Sequence, residues 1–588
     1  MLIERLNINK KYISVVKAII STIGIVYVVG IPIISVYPLI ICGICAYLYK
    51  CEDVVEKESL YIKGTAIILA LFLVGGKIEF IIDKGGIYLF FKLFCIWCGN
   101  YFFLCWMIRK IFYLFDTVEV GRSKLSANVV FIISFFFIAV FWIPIWRYAY
   151  PGILTYDSIT QVQQILGKIQ LTNHHPAIHT LWLKLLYNIA IYLGIDGNTK
   201  IFGFISLVQL IIMDFIFSIT VRYIYKRSKK VSLALMSMAF YGIVSYNAYY
   251  SVTIWKDVVH GVISVLFFVV LCCYFDNKNK QLCVGLLITT LICGCLFCLS
   301  RSNAFYATVL WGIGIFIYFI KYRDKRILVT FFLIIIISTI IKGPIYSKIG
   351  VLEGNPVENL SIPVQQVAYV IAKGEVLKED EIELLSKVVD LNEVPIAYQD
   401  YIADPIKLLI ADNIDYISKN KLKYFRLYLS LGIRYPLDYI VAWIKQTYGY
   451  WYPDVSYWVY STGVEWNEDN IVYTPILSED AINRVNKNAN LYLQLPIYGS
   501  LWNLGTFTWC LIVVTAYLAY KKNWNNVLIN SLLLCIWVTL IIATPVFAEF
   551  RYYYSVVAAF PLILSMPILV KEQNRGELET EQHEKEEY

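Results

Sequence analysis

Apolar stretches of roughly 20 residues, the length a helix needs to cross a hydrocarbon core, recur along nearly the whole chain. Their approximate cores are 14–32, 33–49, 64–82, 86–107, 127–146, 200–221, 231–250, 259–275, 281–299, 303–320, 327–342, 501–520, 525–543 and 552–570, about fourteen in all. The chain therefore reads as a polytopic membrane protein built of helical spans. Composition agrees: 59% of the 588 residues are hydrophobic, only 16% are charged, and mean hydropathy is +0.62. Those values exclude a soluble enzyme, a disordered chain and a collagen-like fibre.

The net charge of +8 is modest for this length and gives no reason to expect nucleic acid. Placement of the basic residues matters more, because cytoplasmic loops collect Lys and Arg. The clusters Lys10-Lys11, Arg109 to Lys124, Arg222 to Lys230, Lys278 to Lys280, Lys321 to Arg326 and Lys521-Lys522 all fall on one side when the spans are threaded in order. That threading requires Ala177 to Gly194 to be an interfacial amphipathic helix rather than a span, and it carries His179, Lys184 and Asn188. The expectation is a multi-pass cell-membrane protein with cytoplasmic N- and C-termini.

Five parts follow: a four-helix membrane module at 1–126, a membrane core at 127–342, a large extracytoplasmic, mostly helical segment at 343–500, C-terminal membrane helices at 501–571, and a charged, disordered cytoplasmic tail at 572–588. The first apolar run passes into the second with no small-residue cleavage site, so no cleavable signal is expected. Cysteines such as Cys42, Cys45, Cys95, Cys98, Cys295 and Cys298 lie inside apolar runs, and their C-x-x-C spacings read as packing rather than as disulfides or a metal site.

With this threading the polar residues of the apolar segments gather on the outer face. The first outer loop, YPGILTYDSITQVQQILGKIQLTNHHPAIHT, carries Asp157, His174 and His175. Lys256 and Asp257 stand at a helix mouth in SVTIWKDVVH, Arg301 and Asn303 at another in LSRSNAFY, and Glu549 and Arg551 at a third in TPVFAEFRYYY. Charges near membrane depth are costly and usually face a cavity or one another. A lone outer-loop Asp is ordinarily just solvated, and each basic residue alone reads equally as a snorkelling anchor. Taken together they predict one basic and acidic pocket beneath the outer surface. An Arg fork suits a phosphate and Lys256 adds a point charge, while a carboxylate beside them takes a proton from an acceptor hydroxyl or amine. Such a pocket fits sugar transfer from a lipid-linked phosphate.

In order and sidedness these segments resemble the GT-C class of polytopic glycosyltransferases, and most of all a bacterial branch in which a D-S…N-H-H-P segment, a W-K-D, an R-S-N-x-x-Y, an S-I-P-x-Q-Q and an E-x-R-Y recur. Here they are Asp157-Ser158, Asn173 to Pro176, Trp255 to Asp257, Arg301 to Tyr306, Ser361 to Gln366 and Glu549 to Tyr552. The resemblance covers most of the chain after about Asn128. It implies an all-α, GT-C-like fold and transfer from a polyprenyl-phosphate-linked sugar to a cell-envelope glycan, lipid or protein. It further implies Asp157 and Asp257 as the catalytic carboxylates, and Arg301, with Lys256 and Arg551, on the donor phosphate. His174, His175, Gln365, Gln366 and Glu549 would orient the acceptor or the loops. Four spans precede the Asp-bearing loop here, where the class usually has one.

No cofactor is expected. A metal held by His174, His175 and Asp157 is the weaker reading, because adjacent histidines point apart and no third spaced His ligand stands out. The aromatic run Tyr448 to Pro453 reads either as a sugar-stacking surface or as an interfacial belt. Lys17 and Asp214 are intramembrane charges, the first near enough to a helix end to snorkel and the second unassigned. The rival reading is a transporter or flippase of a lipid-linked sugar, which would show repeat symmetry and broken helices at the bilayer midplane.

Overall fold

The computed structural model describes residues 10–32, 34–51, 59–79, 89–277, 284–455, 457–459, 469–472 and 496–569. The tail at 572–588 and the Lys278 to Lys280 cluster lie outside the described residues. The described chain is helical throughout, and its only β pairings are isolated bridges. The N-terminal module comprises α1 (Lys10–Val29), α2 (Tyr37–Lys50), α3 (Leu60–Gly75) and α4 (Leu89–Thr117). The membrane core follows with α5 (Ala127–Tyr148), α6 (Tyr156–Ile165), α7 (Ala177–Tyr192), α8 (Asn198–Ser228), α9 (Val231–Ile243), α10 (Ser245–Val252), α11 (Lys256–Asp276), α12 (Val284–Ser300), α13 (Ser302–Tyr322) and α14 (Lys325–Ile340).

Next come α15 (Ser361–Ala372), α16 (Glu379–Leu385), α17 (Asp404–Ala411), α18 (Lys421–Arg434) and α19 (Pro436–Thr447), and the chain closes with α20 (Leu504–Tyr520), α21 (Trp524–Ala543) and α22 (Phe550–Leu569). Among the described residues nine helices are long and apolar enough to cross a membrane, and α9 with α10 makes a tenth if the bent pair is one span. The protein is therefore a multi-pass, all-helical membrane protein.

The stretch expected as a single span at 231–250 is instead broken at Val244 and bent by 54°. Polar groups freed at the break find partners: Asn247 Nδ2 donates to the Phe240 carbonyl at 2.8 Å and the Ser245 amide donates to Tyr498 Oη at 3.4 Å, while at the far end of α10 Gln209 Nε2 from α8 reaches the carbonyls of Tyr250, Ser251 and Thr253. A kink is tolerated at membrane depth when neighbouring side chains re-satisfy the backbone in this way. The helix expected at Glu375 to Asp390 is shorter, Glu379–Leu385.

One large core runs from α5 through α22, and a second joins the N-terminal module to α20 through Ile62, Leu69, Ile108 and Tyr517. Phe72 packs against both Trp451 and Trp537. The aromatic run is thus neither a belt nor an open sugar platform: Tyr450, Trp451 and Tyr452 are buried where the module meets the core. All thirteen described cysteines are free. Asp214 is buried in α8 and accepts from Ser218 Oγ, and Lys17 lies 5.9 Å over the Phe102 ring.

Two described stretches of the 343–500 segment sit against loops of the core. Asn173 and Leu352 pair through the Thr172–Leu352 bridge, and the 399–403 stretch pairs with 545–547. Gln446 Nε2 also donates to the carbonyls of Thr544 and Pro545.

Candidate functional site

The charged residues of four separate sequence segments meet where the N-termini of α6, α11, α13 and α22 converge. Short backbone links set the first approach. The Ile153 amide donates to the Val252 carbonyl at 2.9 Å and the Ile254 amide to the Ile153 carbonyl at 3.0 Å, so the loop before α6 runs beside the loop before α11. Ser158 Oγ donates to the Ile254 carbonyl at 2.6 Å and accepts from the Thr155 amide, while Trp255 Nε1 donates to Thr155 Oγ1. These bonds leave Asp157 and Lys256 facing each other from the first turns of their helices.

Glu549 and Arg551 arrive from the other side. Gly449 lets the α19 end approach closely, since a Cβ there would stand 2.4 Å from Ala548 Cβ and 2.6 Å from the Phe547 carbonyl oxygen. Tyr450 Oη accepts from the Glu549 amide at 3.2 Å and donates to the Val546 carbonyl. Gly261 in α11 likewise admits the Tyr554 ring of α22.

Arg551 is the hub of the cluster. Its Nη1 lies 2.7 Å from Asp157 Oδ2 and 3.7 Å from Asp257 Oδ2, and its Nε donates to Glu549 Oε1 at 2.9 Å. Lys256 Nζ donates to the same Asp157 oxygen at 2.7 Å and to His175 Nδ1 at 2.8 Å, which assigns the His175 ring proton to Nε2. Arg301 Nη1 lies 2.9 Å from Asp257 Oδ1 and donates to the Tyr552 carbonyl at 3.0 Å. Three cations therefore face three carboxylates. The positive ends of the helix dipoles add to the cationic side, which biases the cluster toward an anion.

Burial differs among the carboxylates. The Asp257 side chain is fully buried, whereas that of Asp157 keeps 27% of its surface open, so Asp157 is the carboxylate within reach of a ligand. Burial alone would raise the Asp157 carboxyl, but the Lys256 ammonium and the Arg551 guanidinium outweigh it and hold the group well below the usual carboxylate range. Burial pushes Glu549 up to about 7 against the pull of Arg551, with Asp257 and Asp157 adding to the rise. Burial, then the Lys256 charge, depresses His175 to about 3, so it is neutral and accepts the lysine proton.

The structure brings together Asp157, His175, Lys256, Asp257, Arg301, Glu549 and Arg551. His174 is exposed, with its ring edge against His175. Gln365 and Gln366 are not in the cluster. They hold helices of the 343–500 segment together: Gln366 Nε2 donates to the Tyr439 carbonyl, Tyr428 Oη donates to Gln366 Oε1, and Gln365 Nε2 donates to the Gln399 carbonyl. Among the described residues no group of three His, Cys, Asp or Glu side chains is gathered around a metal-sized space.

Two aromatic residues that charge alone did not single out belong to the cluster. The Arg551 guanidinium lies 4.9 Å from the Trp255 ring and 5.1 Å from the Tyr552 ring, and Arg301 lies 4.4 Å from Tyr552. Stacking of this kind fixes a guanidinium plane while leaving its edge free to bind. The signal was adjacency, since each aromatic directly neighbours a charged residue in W-K-D and in E-x-R-Y. Gln161, one turn after Asp157, likewise positions the buried His179 through a 3.0 Å bond to Nδ1.

No curated protein and no solved structure matches the chain. Its family is nonetheless shown by a model matching residues 166–583, a range that holds six of the seven clustered residues and begins just after Asp157. The chain belongs to the family described as a family of unknown function (DUF6020).

Proposed function

We propose that the protein is an integral membrane glycosyltransferase of GT-C type, taking a sugar from a polyprenyl-phosphate donor to an acceptor outside the cytoplasm. The observation that carries this reading is the convergence of Asp157, at the start of the short helix α6, with Lys256, Arg301 and Arg551 at the mouths of three helices long and apolar enough to cross a membrane. About fourteen spans are proposed, supported by the nine long apolar helices, the bent pair and four shorter apolar helices. The sidedness of the basic clusters supports reading both termini as cytoplasmic and the 343–500 segment as extracytoplasmic.

In the proposed reaction the donor phosphate enters among Lys256, Arg551 and Arg301. Lys256 and Arg551 turn from Asp157 to the phosphate while Arg301 keeps its contact with Asp257, and Asp157, released from both of its cations, regains an ordinary carboxylate's affinity for a proton. The acceptor O–H then gives its proton to Asp157 as the acceptor oxygen bonds to the sugar's anomeric carbon. The bond from that carbon to the phosphate oxygen breaks, and the electron pair leaves with the polyprenyl phosphate, whose charge the same three cations stabilise. Attack opposite the leaving group inverts the anomeric centre. Asp257, fully buried and paired with Arg301, acts as the fixed counter-charge of the chamber.

The test is a panel of polyprenyl-phosphate-linked hexoses and pentoses presented to the purified protein in lipid, with release of polyprenyl phosphate as the readout. Release dependent on the protein supports the reading. Movement of the intact lipid-linked sugar across the bilayer without cleavage assigns the protein to transport instead.

A further inference from the structure

The 343–500 segment does not close around one core. Between Val357 and Tyr439 three small groups of buried apolar residues stand apart from the main core, one around Val370, Leu427 and Leu431, one around Val357 and Ile410, and one around Ala368 and Ile406. Between them lies a cavity of about 660 Å³. Val364, Val367 and Ile371 of α15 line one side and Leu427 and Tyr428 of α18 the other. It is a half-open cleft rather than a sealed void, and an apolar cleft of this size is room for a ligand.

The lining leaves little choice of ligand chemistry. The hydroxyls of Tyr424 and Tyr428 are already donated to the Leu384 carbonyl and to Gln366, so no polar group is left inside to orient a sugar or a peptide. Lys421 is the only charged lining residue, it stands exposed at the rim, and it has no ion-pair partner among the described residues. The same helix, α18, turns Leu422, Phe425, Leu429 and Ile433 outward as an exposed stripe at helical spacing, flanked by Lys423 and Arg426. Leu422 and Phe425 belong both to that stripe and to the cavity lining.

We infer that α18 lies in the surface of the adjacent leaflet and that the cavity behind it takes the hydrocarbon chain of an anionic bilayer lipid, with the headgroup against Lys421. A basic amphipathic helix buries its apolar face at the headgroup boundary. A chain entering past Leu422 and Phe425 would pass from lipid to cavity without crossing water. The inference does not depend on sugar transfer.

Full-length protein in phosphatidylcholine nanodiscs doped with a phosphatidylglycerol carrying a photoactivatable diazirine at one chain end tests it. Labelled peptides should cover 360–371 and 421–428. Their yield, normalised to labelling of the transmembrane helices, should fall at least five-fold in Val367→Trp, whose larger side chain fills the cavity. Lys421→Glu leaves the cavity intact and should lower labelling by this probe relative to a diazirine phosphatidylcholine. Labelling confined to transmembrane helices, or unchanged in a Val367→Trp protein that melts like the wild type, would overturn the inference. Cross-links joining 360–428 of two chains would give the cavity to a second copy and overturn it equally.

Discussion

Arg551 Nη1 and Asp157 Oδ2 lie 2.7 Å apart although 394 residues separate them in the chain. That contact ties the last membrane helix to the loop after α5, and Lys256 completes it from α11. Distant segments have been folded so that one carboxylate oxygen faces two cations, an arrangement that an anion can enter by taking over those cations.

Removal of Arg551 tests its place as the hub. Arg551→Ala strands Glu549 and leaves Asp157 with Lys256 alone, and breaking a buried pair in this way costs about 3–5 kcal/mol. The thermal midpoint in detergent should fall clearly below the wild type. Arg551→Lys keeps the charge and loses the fork, so it should fall less; equal midpoints for Arg551→Ala and wild type would contradict the geometry.

Glu549 predicts a pH dependence of known sign. Its folded value is raised from 4.5 to about 7, so the folded state holds the proton more tightly. Its contribution to stability is fully present below 4.5 and is lost as pH rises through about 7. Glu549→Gln mimics the protonated form, and the wild-type midpoint minus the Gln midpoint should decline across that window. A flat difference would refute the assignment.

His175 and His179 act in the opposite sense. Burial depresses both to about 3 from 6.5, so the unfolded chain binds protons first on acidification. The stability they contribute is present above 6.5 and drains away as pH falls toward 3. Replacing both with Gln should flatten the acid limb of a midpoint-against-pH curve, and an unchanged limb would count against it.

Gly449 is a steric prediction. Ala at this position meets Ala548 and the Phe547 carbonyl, which are not flexible side-chain ends. Overpacking of this kind costs about 1–3 kcal/mol, and the displaced 547–549 loop should carry Glu549 away from Arg551. The check is a lowered midpoint together with a loss of the Glu549-dependent pH effect.

The spans were legible because length and hydropathy act over some twenty residues at once, and the meeting of Asp157 with Lys256 was legible once the basic loops oriented the helices. The break at Val244 was not, because its freed groups are met by Asn247 on the Phe240 carbonyl and by Tyr498, 253 residues away, on the Ser245 amide. Gln365 and Gln366 read as site residues because a polar pair in an apolar helix signals either a ligand or a partner helix, and only the contacts to Tyr428, Tyr439 and Gln399 decide for the second. Tyr450 and Trp451 were ambiguous for the same reason: aromatic residues serve sugar, interface and core alike.

The most direct test of the central claim is the transfer activity of Asp157→Asn, assayed as polyprenyl phosphate released from a lipid-linked sugar that the wild type turns over. Asn keeps the shape and loses the carboxylate, so release should fall by about 10²–10⁴-fold while membrane insertion and elution stay those of the wild type. Near wild-type release by that variant would contradict the account.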